Sequence, residues 1–85
     1  MKRKDITTLS VLLAARIAQE IRENIFVVLG KRYPTASEKL LLRAVEREID
    51  AELLEFGCSI RRPWLSAEGE ERLVLEIDKI NEEHL

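Results

Sequence analysis

The chain of 85 residues has one cysteine, one histidine, two prolines and three glycines, and aromatic residues make up only 5% of it. A lone Cys58 rules out an internal disulfide. Small domains in oxidising compartments are usually held by several bridges, so this cysteine usage points to the cytoplasm. The only histidine, His84, is penultimate and lies far from Cys58, so no Ser–His–Asp or Cys–His constellation can be assembled from the sequence. No Glu-x-x-His motif and no glycine-rich phosphate loop occur, which leaves no catalytic residue, no metal set and no cofactor to expect.

Uninterrupted apolar runs are short. The longest candidate for a secretory leader, Leu9 to Ala15 behind Lys2, Arg3 and Lys4, is broken by Asp5 and Arg16 and reads instead as the start of an amphipathic helix. A membrane span needs about 18 apolar residues in sequence, so no membrane partner is expected. Fourteen basic and sixteen acidic residues give a net charge of −2, so any attraction to nucleic acid must be local.

What is present is helical periodicity. Apolar residues at 46% and charged residues at 35% describe a single small α-helical domain over 1–85, with 1–6 as a flexible basic arm. The spacing predicts three helices, at about 8–29, 35–56 and 66–84, joined near 30–34 and 57–65 and packed as a bundle. In the first, Val11, Ala14, Ile17, Ala18, Ile21, Ile25, Val28 and Leu29 share one arc, and Gly30 lies just beyond its end. The second opens on the capping-box spacing of Thr35 and Glu38 and is expected to stop at Gly57. Its main apolar face is Leu41, Leu42, Val45, Ile49, Leu53 and Phe56, with Glu46, Glu48, Asp50, Glu52 and Glu55 on solvated sides.

A narrower stripe of Leu40, Ala44, Ala51 and Leu54 faces the other way, the pattern of a helix with its own core on one side and a partner on the other. Leu12, Val27 and Leu75 also point away from their helical core faces, so a homo-oligomer or another protein partner is a candidate. The third helix is predicted from a Ser66 N-cap, acidic Glu68, Glu70 and Glu71 in its first turn, and i,i+4 pairs such as Arg72 with Glu76. The alternation of Leu73, Leu75 and Ile77 also fits a strand. Trp64, Phe56, Phe26 and Tyr33 fall near the two junctions and are expected to plug an end of the core.

One feature has the chemistry of a binding site. Lys39, Arg43 and Arg47 follow at i,i+4 along the second helix, a row that fits a line of phosphates, and Arg61 and Arg62 add charge in the second loop. The competing reading is that Arg43 pairs with Glu46 and Arg47 with Asp50 at i,i+3, neutralising the row.

From Leu53 to Leu73 the chain resembles the second half of winged-helix transcription regulators of the PadR and MarR type. Gly57, Ile60, Trp64, Leu65, Ser66, Glu68, Gly69 and Leu73 fill the places of a turn after a recognition helix, a wing strand and an aromatic-Leu-Thr-x-Glu-Gly lead into the last helix. The resemblance covers about a quarter of the chain. It implies a winged helix with a very short β wing, DNA as partner, and a DNA-reading role for Lys39, Arg43 and Arg47 with Arg61 and Arg62 in the wing. Two features depart from that pattern: residues 35–56 contain no breaker for the turn of a helix-turn-helix, and residues 57–66 leave little room for two wing strands.

Overall fold

A computed structural model describes residues 1–84, without the side chains of 83 and 84, so the histidine side chain lies outside the described residues. The fold is mostly helical, a bundle carrying a short two-stranded wing. A 3-10 turn at Arg3–Asp5 precedes α1 (Thr8–Ile21), α2 (Ile25–Arg32), α3 (Glu38–Asp50), β1 (Leu54–Glu55), β2 (Trp64–Leu65) and α4 (Ala67–His84). No helix among the described residues is long and apolar enough to cross a membrane.

The first predicted helix is in fact two. Arg22 adopts the left-handed conformation at φ 57° and closes α1, and the Glu23 amide reaches back 2.8 Å to the Ala18 carbonyl. Asn24 then starts α2 by accepting from the Phe26 amide at 2.8 Å. The apolar row Ile17, Ile21, Ile25, Val28 continues in phase across this break, which conceals it from periodicity alone.

The second predicted helix is shorter at both ends. Ser37, not Thr35, caps α3, accepting from the Leu40 amide at 3.1 Å. At the other end Glu52, at φ 63°, turns the chain left-handed, well before Gly57. Both α1 and α3 therefore end beside a non-glycine residue in a conformation that normally costs an L-residue about 1–2 kcal/mol. The truncation frees residues 53–65 for the wing, and the break after α1 makes 33–37 the turn between α2 and α3.

β1 and β2 pair antiparallel, Leu54 opposite Leu65 and Glu55 opposite Trp64. Period-two alternation turns Leu54 and Leu65 into the core and leaves Glu55 and Trp64 outside, where the indole Nε1 donates to Glu55 Oε2 at 3.1 Å. Phe56 and Trp64 are exposed, so they do not plug the core; Phe26 and Tyr33 pack against it half-buried.

Ser66 fastens the wing to α4. Its hydroxyl donates to the Glu52 carbonyl at 2.6 Å and accepts from the Gly69 amide at 3.0 Å, while its own amide donates to Leu53 O. Gly69 is required there, because a Cβ at this position would lie 2.0 Å from the Leu53 carbonyl oxygen. Residues 72–80 are helical throughout, and the strand alternative is not realised.

The core runs from Ile6 through Val11, Leu12, Ala15, Ile25, Leu29, Ala44 and Val45 to Leu54, Leu65 and Leu73. Two expectations fail here. Leu12 is fully buried rather than outward, whereas Ile17 and Ile21 on the expected core face are exposed. Residues 1–6 are not a loose arm either, since Ile6 is fully buried and the Asp5 carboxylate accepts from the Lys2 amide at 2.8 Å.

Candidate nucleic-acid interface on α3 and the wing loop

The amphipathic pattern of α3 fixes which side chains it offers to solvent. Leu41, Ala44, Val45 and Glu48 face inward, and Lys39, Leu42, Arg43, Glu46 and Asp50 face outward. The outward face carries both signs in its first half, Glu38 with Lys39 and Arg43, and only carboxylates, Glu46 and Asp50, in its second. Lys39 and Arg43 form no ion pair with any described residue, so the Arg43–Glu46 neutralisation expected from spacing is not formed.

Arg47 leaves the row. Its Nη1 donates to the Arg3 carbonyl at 3.0 Å, and its Nη2 to the Ile6 carbonyl at 2.7 Å and to Glu48 Oε2 at 3.1 Å. Neither the phosphate-facing position nor the pair with Asp50 is realised. The guanidinium instead holds the N-terminal segment against α3, and Glu48, expected on a solvated side, is its buried counter-charge at 2% exposure. A buried carboxylate needs a partner, and adjacent Arg47 with its long stem is the nearest available.

The loop between the wing strands lies beside the start of α2. The Ile25 amide donates to the Arg61 carbonyl at 3.0 Å, and Arg62 Nη1 donates to the Arg22 carbonyl at 3.4 Å. Between the loop, α2 and α3 lies an open groove of about 750 Å³ lined by Phe26, Val27, Leu41, Leu42 and Ile60 together with Glu38, Cys58 and Arg61. The Arg61 side chain is exposed, and Arg62 is exposed apart from its one bond. Of the five basic residues singled out in the sequence, Lys39 and Arg43 share the outer face of α3, Arg61 lines a groove with the start of α3, and Arg62 lies at the end of α1. Among the described residues no group of three or more His, Cys, Asp or Glu side chains is arranged to hold a metal ion.

The expected partner stripe is not a surface. Ala44 and Leu54 are buried in the chain's own core and Leu40 packs against it, leaving only Ala51 exposed. The second stripe exists because the chain folds back over α3 on that side. Exposed apolar side chains lie elsewhere: Leu13, Ile17 and Ile21 on α1, and Val74, Leu75, Ile77 and Ile80 on α4. The sequence did assign Leu75 outward, but Ile17, Ile21, Ile77 and Ile80 had the spacing of a core face and gave no sign that the core stops short of them.

Comparison with known proteins finds no matching family model, no matching curated protein and no matching solved structure.

Proposed function

We propose that the chain is a non-enzymatic, winged-helix-like DNA-binding module of a cytoplasmic regulator, using the first half of α3 and the wing loop. The order helix, helix, turn, helix, short hairpin, helix supports this, as does the sequence resemblance over residues 53–73. The observation that carries it is the pair Lys39 and Arg43, outward on the N-terminal half of α3 and in no ion pair with a described residue, two cations four residues apart that suit phosphate oxygens beside a helix laid in a groove. Arg61 and Arg62 supply charge for neighbouring phosphates. Glu46 and Asp50 confine the footprint to that half of the helix, because a phosphate beside them is repelled. With a net charge of −2, affinity rests on these few contacts and falls with salt in proportion to their number.

The test is fluorescence anisotropy of a labelled duplex pool titrated with the full chain over a series of salt concentrations. Lys39→Gln and Arg43→Gln are each expected to weaken binding and to lower the salt slope by about one. Absence of binding to the pool at low salt, or binding that neither substitution changes, overturns the proposal. A protein-interaction module is the second reading, and the exposed apolar residues of α1 and α4 favour it.

A further inference from the structure

The groove between α2, α3 and the wing loop is lined by apolar side chains that the core does not use. Val27 is 42% exposed and Leu42 36%, and Phe26 and Ile60 are half-buried in its lining. Its volume of about 750 Å³ lies within the range of concave binding sites, about 300–1,000 Å³. Single exposed apolar residues are ordinary on a protein surface, whereas several gathered in one concavity mark a place of contact.

The charges around the groove have an excess of one sign. Arg61 is fixed through its backbone, its amide donating to Ser59 Oγ at 3.2 Å and its carbonyl accepting from the Ile25 amide at 3.0 Å, while its side chain forms no ion pair with a described residue. Lys31 lies one turn beyond Val27 on α2, and Lys39 three residues before Leu42 on α3, both exposed and likewise in no ion pair with a described residue. Against these three cations, Glu38 is the single carboxylate among the described lining residues.

We propose that this groove docks an acidic amphipathic helix of a partner protein, its apolar side chains at i, i+3 and i+4 filling the lining and its carboxylates meeting Arg61, Lys31 and Lys39. An extended peptide does not fit as well, because the walls are helices whose backbone groups are bonded internally, and the wing strands are two residues long. A duplex offers phosphates and polar base edges, with the thymine methyl as its one apolar group in the major groove, and so leaves most of the lining unmatched. A basic segment would meet like charges. Arg61 and the first half of α3 also belong to the proposed nucleic-acid face, so the helix and a duplex compete; that consequence rests on the nucleic-acid reading, and the docking does not.

The experiment selects binders to the full chain, without nucleic acid, from a displayed library of helical peptides of about 15 residues with fixed apolar spacing and polar positions drawn from Glu, Lys and Gln. Glu is expected to be enriched and Lys depleted. In fluorescence anisotropy of a selected peptide, Val27→Asp and Leu42→Asp are each expected to weaken binding by about 30-fold. Arg61→Gln should weaken it by about threefold and Glu38→Gln strengthen it by about threefold. Circular dichroism checks the fold, and Val27→Asp, which places a carboxylate in the first turn of α2 where the helix dipole favours it, decides if Leu42→Asp alters the spectrum. Arg43→Gln, whose site faces Glu46 and Asp50 away from the groove, is expected to leave peptide binding unchanged while weakening duplex binding, so each reading can fail alone. A library from which nothing is enriched, enrichment of Lys over Glu, or a selected peptide indifferent to both Asp substitutions overturns the proposal. Self-association of the chain that Leu42→Asp abolishes also overturns it, by giving the groove to a second copy.

Discussion

The Arg47 guanidinium donates a 2.7 Å hydrogen bond to the carbonyl of Ile6, 41 residues earlier, and so closes the N-terminal segment over α3. The same side chain neutralises buried Glu48, so one residue carries two structural duties. Arg47 Nε is buried with no hydrogen-bond partner among the described residues, and the contacts of the side chain are made at its tip.

Arg47→Met should destabilise the chain by about 3 kcal/mol, because it strands a buried carboxylate and releases two carbonyls. Glu48→Gln should cost only about 1 kcal/mol, since the amide oxygen still accepts from Arg47. Urea denaturation measures both, and hydrogen exchange of the amides of residues 5 and 6 should speed up in Arg47→Met alone.

Two glycines in helices should respond in opposite directions to alanine. Gly69→Ala forces a Cβ into the Leu53 carbonyl and should cost at least 2–3 kcal/mol by overpacking, despite alanine's better helix propensity. Gly30→Ala, whose Cβ would meet only Leu41 Cδ1 at 3.8 Å, should stabilise α2 by up to about 1 kcal/mol. Thermal melts of the two variants give the comparison; a tolerated Gly69→Ala contradicts the close approach.

Arg22→Gly should raise stability by up to about 1 kcal/mol, because glycine adopts φ 57° without the strain an arginine bears, less the added entropy of the unfolded chain. Its carbonyl remains available to Arg62, so the loop contact is kept. A fall in the melting temperature on this substitution contradicts the account of how α1 ends.

The hydrogen bond from Arg72 holds the Glu76 carboxyl below its ordinary value of 4.5, opposed by burial as the next-largest effect and assisted by the charges of Lys79 and Arg72. A depressed carboxylate contributes its stability in full above the unfolded value and loses it as pH falls through the folded one. Glu76→Gln should therefore flatten the dependence of melting temperature on pH below 4.5 and leave the dependence above it unchanged.

Much of this protein was legible in its sequence. Helical periodicity and the shortage of breakers determine a mostly helical chain, Ser66 with its acidic followers starts α4, and Lys39 and Arg43 lie on the solvent side because Leu41, Ala44 and Val45 occupy the other. These are local consequences of 3.6-residue geometry and of caps that act within one turn. Tertiary structure decided the rest. α1 and α3 end beside Arg22 and Glu52, residues with no intrinsic preference for left-handed backbone, and they hold it because the segments that follow must turn back onto the core. Those two stops divide the expected first helix into α1 and α2 and shorten the expected second, which frees residues 53–65 for the two-stranded wing. Arg47 was indistinguishable from its neighbours in the row, and only the buried Glu48 and the carbonyls of Arg3 and Ile6 drew it inward. The apolar rows of α1 and α4 looked like core for the same reason: periodicity reports which side of a helix is apolar, and only the packing of the whole chain decides how far along that side the core extends.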